Sequence, residues 1–307
     1  MRPLAIVAAA LGALVFAWPA AATPVPVNGA PDCPVFPKTN VWNKPVAGLP
    51  TRANSKTIVK SIGRNLSLHA DFGSGLWDGG RIGIPITVVG SSQAKSHVHF
   101  DYADESDRRP YPIPNDVAIE GEPASGGDRH AIIVDSDSCK LYELFNLRPH
   151  WKAGSGAIWR LTSNALRPRG WTSADAAGLP ILPGLVRYEE VAAGHIDHAI
   201  RFTVGHTRRQ YVYPARHFAS SLRSRKLPPM GLRLRLRSNY PVGHFPRQAR
   251  IVLKALKRYG MIVADNGTSW YLSGEPNSHW NNDQLHTLGK VKGSNFRVVD
   301  TRSLRNG

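Results

Sequence analysis

The sequence predicts a mainly β fold: an antiparallel β-sandwich or jelly-roll-like body with a few short helices and one C-terminal amphipathic helix. Three observations lead there. Apolar and aromatic runs such as IPITVV, HAIIVD, KLYELF and HAIRFTV recur between clusters of Gly, Pro, Asp and Ser, the punctuation of strands and turns. The segment GLRLRLR alternates strictly, with Leu232, Leu234 and Leu236 facing one side and Arg233, Arg235 and Arg237 the other, so it reads as a strand with a core face and a basic ladder. The regular alternation of strands with long helical patterns that marks a parallel α/β sheet is missing.

Taken in order, residues 1–22 read as an export signal. Arg2 precedes the apolar LAIVAAALGALVFAW, and Ala20, Ala21 and Ala22 supply small residues for cleavage. A retained anchor is the alternative, but the run is short for a membrane span and Pro19 interrupts it. Residues 23–50, rich in Pro and Asn and without period, read as an irregular arm, and residues 51–307 as a single β-rich domain. Within it a helix is expected over 54–63, with Ile58, Val59 and Ile62 on its apolar face. PRQARIVLKALKRYG is the amphipathic helix, with Pro246 near its start and Gly260 past its end. MIVADNG and TSWYLSG read as a hairpin turned through Asn266 and Gly267. A short helix near 282–288 and the strand FRVVD close the chain.

The formal net charge is +17, and +16 without Arg2. That balance favours polyanionic partners, foremost a polysaccharide or cell-wall polymer, with nucleic acid ranked below them. The two cysteines, Cys33 and Cys139, are expected to pair in an exported protein, two buried thiols being the alternative. No cofactor is required by the sequence, no stretch after the signal is apolar enough to span a membrane, and a monomer is expected. The absence of a Walker loop, a dinucleotide fingerprint, a GxSxG elbow and an HExxH motif sets aside the chemistries those motifs carry.

The stretch from Ser163 to Phe202 stands out. Asp175 is its one ionisable group between Arg169 and Arg187, in an apolar segment punctuated by Gly170, Gly178, Pro180, Pro183 and Gly184. Such a segment either enters the core or lines a cleft. In an apolar setting the Asp175 pKa rises, which suits a general acid for glycoside hydrolysis; a turn-capping role is the structural alternative. Asp71 or Asp104 is then its carboxylate partner. Polysaccharide β-elimination is the other candidate reaction. It needs a base, His198 or His217, and cations to hold a uronate, for which Arg216, Arg233 and Arg235 are placed beside Tyr213. Trp171 offers a ring for sugar stacking.

Several segments resemble a family of exported bacterial proteins associated with extracellular polysaccharide. They include GWTSADAAGLPILPGLVRYEEV, HAIRFT, YVYPARH and MIVADNG, within a resemblance spanning about Cys33 to Asp300. It implies an exported single domain and carries no catalytic residue with it. His97 and His99 share one strand face, as metal ligands do, and with Gly90 and Glu105 resemble a cupin motif whose spacing is off by one residue on each side. Asp128-Arg129-His130 resembles the DRGH motif of secreted nucleases, without its glycine. The leading expectation is therefore a secreted glycoside hydrolase or polysaccharide lyase. A non-catalytic cell-wall or glycan-binding protein is the second, and a secreted nuclease built on His130 the third.

Overall fold

Short apolar runs bounded by turn residues fold here as strands, so the chain is mainly β, as the sequence predicts. The computed structural model describes residues 25–124 and 126–306; the export signal read at 1–22 lies outside them. The first strands are β1 (His69–Asp71), β2 (Leu76–Trp77), β3 (Gly80–Arg81), β4 (Ile86–Val89) and β5 (His99–Phe100). Then come β6 (Ala131–Asp135), β7 (Lys140–Phe145), β8 (Lys152–Ala153) and β9 (Ser155–Arg160). The last are β10 (Ile200–Val204), β11 (Arg233–Leu236), β12 (Met261–Asn266), β13 (Tyr271–Ser273) and β14 (Phe296–Val298). Among the described residues four α-helices are interspersed: α1 (Ser55–Gly63), α2 (Tyr188–Ala193), α3 (Arg247–Arg258) and α4 (Asn282–His286).

Two sheets dominate, ordered β1-β13-β10-β12-β11-β14 and β4-β6-β7-β9. Both are mixed rather than wholly antiparallel, because β1–β13, β10–β12 and β4–β6 run parallel. Those partners lie far apart in sequence, and the long connections between them can return the chain in either direction. The expected hairpin at Asn266-Gly267 is not formed: β10 lies between β12 and β13 and pairs with both. The turn instead carries the chain over β10, with the Gly267 N–H donating to the Val204 carbonyl and the Trp270 N–H to that of Thr203.

Helices α1, α3 and α4 pack on the six-stranded sheet, and the predicted faces are the buried ones: Ile58, Val59 and Ile62 of α1, and Ile251, Leu253 and Leu256 of α3. The four-stranded sheet is buried on both faces, Ile132, Val134 and Leu141 on one and Ile133, Tyr142 and Leu144 on the other. Cys33 and Cys139 form a disulfide with their Cα atoms 5.2 Å apart, tying the N-terminal arm to the turn between β6 and β7. Among the described residues no helix is long and apolar enough to cross a membrane.

The basic ladder on β11 is not a surface feature. Arg233 is 1% exposed, and its guanidinium donates to the carbonyls of Tyr259, Val41 and Lys44 at 2.7–2.8 Å. Arg235 likewise donates to the Leu49 carbonyl. Both strand faces are covered, one by core and the other by the N-terminal arm, so these arginines stitch the arm to the sheet.

Candidate functional site

One face of the six-stranded sheet is polar. Asp71 pairs in register with Ser273, and Thr203 with Tyr271, while the Arg201 guanidinium donates to the Ser273 hydroxyl at 2.6 Å. His69 stacks on Tyr271 with ring centroids 4.2 Å apart. A β-bulge completes the face. Arg201 lies beside Ile262 and Phe202 beside Val263, but Thr203 lies beside Asp265, so β12 carries one extra residue there. Side chains alternate along a strand, and the extra residue turns Asp265 from the Phe202 side to the Arg201 side. Its carboxylate comes to 3.5 Å from Arg201.

Above this floor the charges form two pairs, one fully and one partly buried, and a set of looser carboxylates. Asp175 is fully buried and bonds Arg201 twice, at 3.0 Å each. Burial raises its pKa, with Arg201 opposing; two short charge-assisted bonds nonetheless hold it as the carboxylate and keep Arg201 charged. Burial alone would lower the His130 pKa, but the Glu120 carboxylate at 2.6 Å outweighs it and lifts it to about 9. The same contact overcomes burial at Glu120 and lowers its pKa. At neutral pH the pair is therefore imidazolium and carboxylate.

Asp265 behaves differently. Burial, then the nearby Asp175 carboxylate, push its pKa up to about 7 against the opposing charge of Arg201. Asp71 is also raised, by withdrawal from bulk water and then by Glu120. Glu143 on β7 rises to about 7 through burial and accepts the backbone N–H groups of Ile181 and Leu182, a structural use that fixes the segment beside the site.

Asp71, Glu120, His130, Arg201 and Asp265 open onto a groove made of three adjoining cavities of about 380, 300 and 420 Å³. Asp128 borders all three; Asp265 and Asn266 border the first two, and Asp71 and Glu120 the last two. Exposed aromatics stand at its ends: Trp77 on the β2–β3 ribbon, 79% exposed, and Tyr102, 56% exposed. Part of the stretch singled out in the sequence does line this groove, through Thr172, Ser173, Ala174 and Ala176. Gly178 lets that loop close on itself, since its φ is +65° and a side chain there would collide with the Trp171 carbonyl oxygen.

The other expected site residues are dispersed. Asp175 has no access to the groove; it anchors Arg201. His198 is buried, its Nε2 against Glu190 at 3.1 Å and its Nδ1 against the Ala199 carbonyl. Asp104 points to solvent on a 3₁₀ turn, while its neighbour Glu105 lines the groove. His217 does line it, with Nδ1 on the Ala176 carbonyl and Nε2 3.8 Å from Glu105. Trp171 lies over Arg167, Tyr213 packs on the core, and Arg216 donates to the Arg167 carbonyl. His97 and His99 are exposed, and among the described residues no three His, Cys, Asp or Glu side chains are arranged to hold a metal ion. His130 cannot take a proton from water as a nuclease base must, because Nδ1 is engaged by Glu120 and Nε2 by the Ala174 carbonyl.

Asp265, Glu120, Asp128 and Arg201 are the site residues not assigned this role from sequence. One signal was available: Asp265 is an ionisable group directly following the apolar MIVA. Comparison of the chain with protein-family models, with curated proteins and with solved structures finds no match in any of the three.

Proposed function

We propose that this protein is an exported glycoside hydrolase acting on extracellular polysaccharide, with Asp265 as general acid and Asp71 as the facing base. The observation that carries the reading is Asp265 itself, a carboxyl whose pKa lies at about 7 in a groove bordered by other carboxylates. Glycoside hydrolysis needs one carboxyl that keeps its proton for the leaving oxygen and a second that accepts one from water. Asp71 suits the second role, since a raised pKa makes its carboxylate the stronger base. Arg201 and Asp175 act on Asp265 as positioning residues.

Three strand spacings of about 4.8 Å separate β1 from β12. That is about 14 Å between backbones, wider than the roughly 6.5–9.5 Å between the carboxyls of inverting enzymes, so a working pair requires the two side chains to lean toward each other across the groove. Trp77 and Tyr102 fit the reading as stacking platforms, as do a disulfide compatible with an oxidising compartment and the resemblance to exported polysaccharide-associated proteins.

The test is incubation of purified protein with neutral and acidic polysaccharides, following reducing ends and the anomeric form of the first product by NMR. Reducing ends, lost in Asp265→Asn, are expected, and the configuration of the first product tells inversion from retention. Unsaturated-uronate absorbance would move the assignment to elimination. Binding to insoluble glycans with no cleavage across the panel would make this a glycan-binding protein instead.

A further inference from the structure

Next to the groove lies a second cleft of the opposite character. Arg208, Arg209, Arg223 and Arg225 line it together with Gln210 and Phe218. Among the described residues none of the four arginines has a carboxylate within ion-pair distance, while Arg52 and Arg225 crowd Arg208 with like charge. The Arg208 Nε–H is buried and has no partner among the described residues. A buried guanidinium N–H left without an acceptor carries a desolvation cost, and clustered like charges repel, so the cleft is held in a form that an anion would relieve.

The cluster is anchored on folded backbone. Arg208 donates its backbone N–H to the Pro228 carbonyl and Arg209 to that of Leu222, and the Arg208 side chain donates to the Arg225 carbonyl at 3.2 Å. Arg209 lies over the Phe218 ring at 5.6 Å. The segment 217–219 is a wall common to both clefts: His217 and Ala219 face the groove, and Phe218 faces the arginines.

We propose that this arginine cleft is a subsite for an anionic substituent, a carboxylate or a sulfate ester, on a polysaccharide that crosses the 217–219 rim from the groove. This rests on the hydrolase reading above and adds the substrate's charge to it. Guanidinium forks match planar and tetrahedral oxyanions, and the adjoining ring gives a sugar face a surface. The groove disfavours a nucleic acid as occupant. A chain with a phosphate at every residue would run from the arginines into Asp71, Glu120, Asp128 and Asp265, whereas a glycan can carry its charges only where the cleft needs them.

The experiment compares dextran, carboxymethyl-dextran, dextran sulfate and an oligothymidylate by affinity electrophoresis and calorimetry, using wild type, Asp265→Asn and the double variant Arg209→Gln/Arg223→Gln. Both arginines in the double variant are exposed, so the fold should survive; Arg225→Gln serves as an independent second variant. One or both charged dextrans should bind in a salt-dependent way and dextran should not, and binding should weaken about tenfold or more in the double variant but not in Asp265→Asn. Equal binding of neutral and charged dextran, or unchanged binding in both arginine variants, would overturn the proposal. So would tighter binding of the oligothymidylate than of either charged dextran. If charged dextrans bind at the arginines but no polysaccharide is cleaved, the hydrolase reading fails and this one stands. If cleavage is indifferent to substrate charge, the reverse holds.

Discussion

Asp265 sits 3.5 Å from the Arg201 guanidinium, which holds Asp175 through two bonds of 3.0 Å. One cation thus faces two carboxyls, one buried and one partly exposed to the groove, and it is spent on the nearer. Asp265 receives the weaker contact and the repulsion of Asp175, and its pKa stays at about 7. As a general acid it must be protonated, so hydrolysis should be fast on the acid side and fall as pH rises through about 7. Rates of reducing-end release against pH check this. Asp265→Asn should lose about 10²–10⁴-fold in kcat with its circular dichroism unchanged.

Asp175 should control where that fall occurs. Asp175→Asn removes the like charge and frees Arg201 for Asp265, and both changes favour the Asp265 carboxylate. The alkaline limb of the rate profile should then move to lower pH, a readout that simple loss of folded protein does not produce. The variant should also lose about 3–5 kcal/mol in urea unfolding, because a buried arginine loses its main partner. A limb that stays at about 7 would remove Asp175 from the mechanism.

The strands, α1, α3 and the cysteine pair were legible because each is written in local pattern: alternation, a 3.6-residue period, or a count of two. The site was not. Asp265 sat in a sequence that reads as a hairpin turn, Glu120 in a proline-rich loop, and Arg201 as one charge in an apolar strand. They converge through β1–β13 and β10–β12, parallel pairings of high sequence separation, and through a one-residue bulge that periodicity does not encode. Asp175 shows the complementary case. In the sequence a lone carboxylate in an apolar segment fits the core or a cleft, and the structure buries it fully against a partner 26 residues away.

Stability should decline from weakly acidic to alkaline pH. Glu143 and Asp265 rise to about 7 from 4.5 and 3.8, and His130 to about 9 from 6.5. In each case the folded state keeps a proton that the unfolded chain releases at lower pH, so the folded state binds more protons and unfolding free energy falls as pH rises. The carboxyl contributions fade between about 4 and 7, and that of His130 between about 6.5 and 9. Glu120 and Glu190 have lowered pKa values and act in the opposite sense, their stabilisation being lost only as pH falls below the usual carboxylate range. The melting temperature should peak near pH 5 and drop steadily to pH 9 at constant ionic strength. Glu143→Gln should flatten the part of that decline below about pH 7. A melting temperature that climbs from pH 5 to 8 would contradict these assignments.

Trp77 tests the groove without touching the acid. Its side chain is 79% exposed beside Leu76, 58% exposed, on a two-stranded ribbon. An indole this open adds almost nothing to the core, so Trp77→Ala leaves no cavity and the unfolding midpoint should not move. Stacking of an aromatic ring on an apolar face is worth about 0.5–1.5 kcal/mol beyond area burial. Loss of one sugar contact should therefore weaken polysaccharide binding by about threefold to tenfold. The measurement is best made in the Asp265→Asn background, where substrate persists, and compared with the catalytic constants of Trp77→Ala alone. Because the ring lines the cavity that Asp265 does not border, KM should rise more than kcat falls for a long substrate. A short oligosaccharide that does not reach the ribbon should show neither change. Equal effects on long and short substrates would mean that Trp77 shapes the centre of the groove rather than its end.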